Sequence, residues 1–68
     1  MSMDVEINGE RQTVPDAITI AGLLEHLKIP PGRVAVEVNS NVIKRADHGL
    51  HQLRPGDAVE VVAFVGGG

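Results

Sequence analysis

The chain has 68 residues, a net charge of −3, no Cys and a single aromatic residue, Phe64. That length holds one domain with a thin core, since a chain of about 60 residues buries only about 60% of the surface its unfolded form exposes. The lack of Cys excludes disulfide, zinc–thiolate and iron–sulfur chemistry, and mild acidity with almost no aromatic surface argues against nucleic acid, whether held by its phosphates or by its bases.

Apolar residues make up 43% of the chain, enough for a core without staples. Val is the commonest of them, and β-branched side chains favour a sheet. The longest apolar run, Val61 to Val65, is far too short to cross a bilayer. The first residues, Met1-Ser2-Met3-Asp4, lack a basic segment followed by an apolar stretch. The expectation is a cytoplasmic chain with no membrane and no nucleic-acid partner, monomeric when free, and a carrier or binding module rather than an enzyme with its own cleft.

In chain order, Met3, Val5 and Ile7 alternate with polar residues, the period of a half-buried strand. Asn8-Gly9 follows, a strong hairpin signal because both residues tolerate the positive φ of a type I′ turn. Glu10 to Val14 reads as the return strand and Pro15-Asp16 breaks it. Thr19 is a candidate helix cap. Ile20, Leu23, Leu24 and Leu27 then stand at helical spacing and predict one apolar stripe on a helix over residues 20–28. Gly22 inside it costs roughly 1 kcal/mol relative to Ala, a cost that a close approach of the helix backbone to a sheet would explain. Ile29-Pro30-Pro31-Gly32 ends the helix.

Val34, Val36 and Val38 alternate with Ala35, Glu37 and Asn39 and predict a third strand. Asn39-Ser40-Asn41 is a turn and Val42 to Lys44 a short fourth strand. Residues 46–53 form an irregular connection with Leu50 and Leu53 as its expected anchors. Arg54-Pro55-Gly56-Asp57 places Pro and Gly at the centre of a type II turn, and the last strand runs from Ala58 to Val65.

A helix stripe must be buried against the sheet formed by the strands around it. One helix across a mixed sheet of four or five strands, in this order, is the α+β arrangement called β-grasp, the fold of ubiquitin. It sets the first and last strands side by side and parallel in mid-sheet, through a crossover expected to be right-handed. The expected core is Val5, Ile7, Ile20, Leu23, Leu24, Leu27, Val36, Val38, Leu53, Val59 and Val61. Residues 1–65 form the domain and Gly66, Gly67 and Gly68 a flexible tail.

The tail is the first candidate site. A frayed terminus would look the same, but here a strand runs straight into the glycines, and the last of them, Gly68, is expected to carry the α-carboxylate. With a pKa of about 3.3–3.7 such a group is ionised at neutral pH. It becomes an acyl donor only once an oxygen is replaced by a leaving group, as in an acyl-adenylate formed with ATP. An activating enzyme would thread the tip through a narrow channel, where any Cβ obstructs and glycine does not.

The last strand supplies the second candidate. Val59, Val61 and Ala63 point one way, and Ala58, Glu60, Val62 and Phe64 the other. If the first set meets the helix, Val62 and Phe64 lie on the open sheet face, either as ordinary scattered apolar residues or as a docking patch beside the tail. The remaining chemistry-bearing residues carry less. His48 and His51 stand three apart, but no convincing third ligand accompanies them. They read as surface loop histidines, His26 as solvated, Lys44-Arg45 as a solvated edge, and no metal site is expected. The glycines precede no helix, so no phosphate-binding loop is present.

Val36-Glu37-Val38-Asn39 with Val42-Ile43, then Arg54 to Val61, then Phe64-Val65-Gly66-Gly67-Gly68, together resemble the ThiS family of sulfur carriers in thiamine thiazole biosynthesis. The resemblance spans essentially the whole chain. It implies that a ThiF-type, E1-like adenylyltransferase uses ATP and Mg to adenylate Gly68. Sulfur from a cysteine-derived persulfide donor then gives a thiocarboxylate, which serves a ThiG-type thiazole synthase. The segment Val65, Gly66 and Gly67 would enter each partner's active site, and the carrier itself would bind no cofactor. The third glycine departs from members ending in two. The small subunit of molybdopterin synthase shares the fold and the tail, though its members tend to be longer and richer in aromatics. Carriers for other sulfur-transfer pathways also fit, and a β-grasp binding module with incidental glycines is the alternative from another class.

Overall fold

A computed structural model describes residues 1–30, 32 and 34–63. The strands are β1 (Ser2–Ile7), β2 (Glu10–Pro15), β3 (Val34–Val38), β4 (Asn41–Ile43) and β5 (Ala58–Ala63), with one helix, α1 (Ile20–His26), after β2. They form one five-stranded sheet in the order β2-β1-β5-β3-β4. β1 and β5 are central neighbours and parallel, with Glu6 opposite Ala58 and Ile7 opposite Val59, and every other pairing is antiparallel. This is the expected β-grasp order. The predicted end of β5 at Val65, the tail 66–68 and Phe64 lie outside the described residues.

Both hairpins turn on two residues in the left-handed region. Asn8 and Gly9 have φ of 51° and 85°, and Asn39 and Ser40 have φ of 51° and 71°. Such turns match the twist of the flanking strands. The second hairpin is tighter than the sequence suggested, since Asn41 already pairs with Val38 in β4.

The first-turn N–H groups of α1 are all satisfied. Ile20 donates to the His51 carbonyl at 3.1 Å, Ala21 to that of His48 at 2.9 Å and Leu23 to that of Thr19 at 2.8 Å, while Gly22 donates to Thr19 Oγ1 at 3.1 Å. Thr19 is thus the cap that its position predicted. A Cβ on Gly22 would stand 3.0 Å from Ile18 Cγ1 and 3.3 Å from Thr19 Oγ1. The crowding therefore comes from the capping turn itself rather than from the sheet.

The helix stops earlier than residue 28. Lys28 takes φ of 60° and donates to the Glu25 carbonyl at 3.0 Å, while Ile29 donates to that of Leu24 at 2.8 Å. This is a Schellman close, in which the chain turns left-handed after Leu27, so it acts ahead of Pro30.

The core unites Met3, Val5, Ile7, Val14, Ile20, Leu23, Leu24, Val34, Val36, Val38, Leu53, Val59 and Val61, with Leu27 and Ile29 half-buried at its edge. Leu53 is the anchor it was expected to be, but Leu50 is 78% exposed and the second anchor is His48, 5% exposed. A 3-10 turn at Arg45–Asp47 leads into 48–51, and at helical spacing Leu50 falls opposite the face shared by His48 and His51. The sequence had read these histidines as surface residues. His48 Nε2 instead lies 3.0 Å from the Ile43 carbonyl, an acceptor that requires the proton on that nitrogen.

Candidate functional site

The candidate site is built around β5, the strand that precedes Gly66, Gly67 and Gly68 in sequence. Val59 and Val61 are buried in one core with Ile20, Leu23 and Leu24 of α1, so the alternation places Glu60 and Val62 on the open face. Val62 is 51% exposed, where the sequence reading put it. Phe64, its expected companion, and Val65, Gly66, Gly67 and Gly68 lie outside the described residues.

Strand register shows what surrounds Val62. Ala35 lies directly opposite it across β3, and Glu37 lies opposite both Glu60 on β5 and Val42 on β4. Val42 is 70% exposed. The far side of the open face carries Asp4 and Glu6 of β1, opposite Thr13 and Arg11 of β2, and Thr13 Oγ1 donates to Asp4 Oδ1 at 2.8 Å. An apolar patch of Val62, Ala35 and Val42 is therefore set beside the carboxylates Glu37 and Glu60, while Glu6 lies level with Ala58 at the other end of β5 and Asp4 beyond it. Glu37 and Glu60 are cross-strand neighbours of like charge, an arrangement that costs stability.

Side-chain amides hold β5 at both ends. At its start, Asn39 Oδ1 accepts from the Ala58 N–H at 3.0 Å and the Asn39 N–H donates to the Ala58 carbonyl at 2.7 Å. Asn39 Nδ2 also donates to Asp57 Oδ1 at 3.0 Å, while Asp57 Oδ2 accepts from the Arg54 N–H at 2.8 Å. Gly56, with φ of 85° at the third position of the Arg54–Asp57 turn, completes the predicted type II geometry. Nearer the tail, the Asn8 N–H donates to the Val59 carbonyl at 2.9 Å. Asn8 Oδ1 accepts from the Val61 N–H at 2.8 Å, and Asn8 Nδ2 donates to the Val61 carbonyl at 3.3 Å. The sequence reading took Asn8 and Asn39 only as turn formers and missed these bonds. The signal was there in the choice of Asn at the first position of both turns, since its amide can also pair with backbone.

Among the described residues no group of three His, Cys, Asp or Glu side chains is placed to hold a metal ion, and no helix is long and apolar enough to cross a membrane.

Residues 4–68 match the sequence pattern of the ThiS family. Over 66 residues the chain is 41% identical to a thiazole synthase of Magnetococcus marinus and 35% identical to one of Paramagnetospirillum magneticum. In each case the match covers 97% of this chain but spans only 20% of the relative. The crystal structure of the thiamine biosynthesis protein ThiS from Geobacter metallireducens superimposes with a TM-score of 0.81 at 36% identity, covering 97% of this chain and 100% of that one.

Proposed function

The chain belongs to the ThiS family, the small sulfur carriers of thiamine biosynthesis, and from that premise we propose that Gly68 is its acyl site. The Gly68 carboxylate attacks the α-phosphorus of ATP in the active site of a ThiF-type adenylyltransferase, pyrophosphate leaves, and an acyl-adenylate forms. The terminal sulfur of a persulfide then attacks the acyl carbon and AMP leaves. A thiol reduces the resulting acyl disulfide, releasing the thiocarboxylate. A ThiG-type thiazole synthase accepts that sulfur. The identity to two thiazole synthases favours this acceptor over the pterin of molybdopterin synthase. The carrier contributes no catalytic side chain, and its dependence on ATP fits a cytoplasmic reaction.

The observation that carries this reading is the placement of β5. β5 is a central strand, paired with both neighbours at Ala58 and Val59 and with β3 on to Ala63, and it precedes in sequence Gly66-Gly67-Gly68, a segment with no Cβ to obstruct a narrow channel. The open face around Val62, with Phe64 as its proposed extension, docks the activating enzyme. Its carboxylates call for Lys or Arg around an apolar contact on that partner.

The test is to incubate the protein with a ThiF-type enzyme, Mg-ATP and a persulfide donor, and to weigh the product. One oxygen is exchanged for one sulfur, and the exchange is lost when Gly68 is deleted. An unchanged mass, under conditions that convert a ThiS protein from another source, overturns the proposal.

A further inference from the structure

The backbone pairing between β1 and β5 ends at Ile7 opposite Val59, yet β5 continues to Ala63. On the β3 side the partners run on to Val34 opposite Ala63. On the β1 side the chain turns away at Asn8. Among the described residues the Val61 N–H and carbonyl have no backbone partner there. The Asn8 side chain meets both, at 2.8 and 3.3 Å. A primary amide has the same donor and acceptor pair as a peptide group, so Asn8 adds one more rung to the β1 side of β5, made by a side chain.

We propose that Asn8 is a positioning residue for acyl transfer, fixing the direction in which the chain leaves β5 toward Gly68. The inference rests on the carrier reading above. Asn8 touches no reacting atom and acts through the Val61 peptide, two residues before Ala63. Among the described residues, removing its amide leaves the last residues of β5 held by β3, a one-sided support about which the strand can swing. The carboxylate is then aligned with the α-phosphorus a smaller fraction of the time. Docking through the open face is unchanged, because Asn8 lies in a turn outside that patch. The defect therefore falls on kcat, since alignment rather than binding is lost.

Asn39 supplies the control. It has the same φ of 51° and a comparable amide bond to β5, but at Ala58, the end remote from the tail. The variants Asn8→Gly, Asn8→Asp and Asn39→Gly all keep residues suited to a type I′ turn. Asp retains an acceptor for the Val61 N–H but sets a second carboxylate oxygen against the Val61 carbonyl.

The experiment measures pyrophosphate release by a ThiF-type enzyme with the full chain as substrate, together with hydrogen exchange at the Val61 amide. For Asn8→Gly and Asn8→Asp, kcat falls about tenfold while KM stays within about twofold. Val61 loses exchange protection in Asn8→Gly. Asn39→Gly keeps the wild-type kcat. If Asn8 serves only the turn, both Asn8 variants match wild type, and that result overturns the inference. So does a fall in kcat of equal size in Asn39→Gly, which would mark a general loss of stability. Wild-type protein that releases no pyrophosphate overturns the carrier reading and this inference with it, whereas active wild type with unaffected Asn8 variants overturns the inference alone.

Discussion

The two ends of β5 are held by the same kind of residue in different surroundings. At the start, Asn39 works within a network: its amide meets Ala58 and Asp57, Asp57 also holds the Arg54 N–H, and Gly56 donates to the Asp4 carbonyl at 2.8 Å. Toward the tail, among the described residues, Asn8 alone holds Val61 on the β1 side. In a network the loss of one bond weakens the other members as well, whereas the loss of a single clamp removes only its own bonds. The start of β5 is thus built for stability and its far end for control over the direction of the departing chain, where a carrier needs its geometry set.

The largest effect that separates buried from presented residues near the tail comes from adjacent valines. Val61→Asp buries an unpaired carboxylate in the core, at a cost of more than about 4 kcal/mol, and leaves the protein unfolded by circular dichroism. Val62→Asp changes stability by less than about 0.5 kcal/mol but raises KM for the activating enzyme about fivefold through the lost apolar contact. If Val62→Asp unfolds as well, the open face is not open.

Next in size is the start of the strand. Asp57→Ala removes partners from both the Asn39 amide and the Arg54 N–H, and costs about 2 kcal/mol in urea denaturation. Asn8→Gly costs about 1 kcal/mol, because Gly keeps the turn and only the amide bonds are lost. The comparison is sharpened when activity is measured on the folded fraction: Asp57→Ala, the more damaging to stability, retains the wild-type kcat, and Asn8→Gly does not. A parallel loss of stability and kcat in both would abolish the distinction between the two ends.

The architecture was legible because its signals are local and repeated. Alternation at Met3, Val5 and Ile7 and at Val34, Val36 and Val38, the Leu stripe after Thr19 and the Asn8-Gly9 turn each require one element, and together they admit one order of strands. Where the reading went astray, tertiary contacts overrode composition. Leu50 looked like a core anchor by hydropathy, but turn geometry aims it outward, and His48, whose proton meets the Ile43 carbonyl, takes the buried place. Pro30-Pro31 looked like the stop of α1, but the Schellman close at Lys28 acts first. Of the site, the exposed side of β5 followed from alternation alone. The amide clamps did not, because a side-chain bond from Asn8 to Val61 joins residues 53 apart in sequence, and no local pattern reports it.

The smallest effect concerns the open face. Glu37 and Glu60 face each other across β3 and β5, a like-charge pair that the fold does not need. Glu60→Gln keeps the shape and removes the repulsion, so stability rises by about 0.3 kcal/mol at low salt, a gain that shrinks as added salt screens the pair. If the face meets a basic partner, the same change slows association with the activating enzyme and makes it less sensitive to salt, because steering weakens with each lost carboxylate. Stopped-flow association rates across a salt series, set beside urea midpoints, measure both. A variant that is more stable yet associates more slowly shows that Glu60 is kept for the partner at the expense of the fold. One that is more stable and associates at the wild-type rate removes charge from the docking argument and leaves the patch around Val62 to carry it.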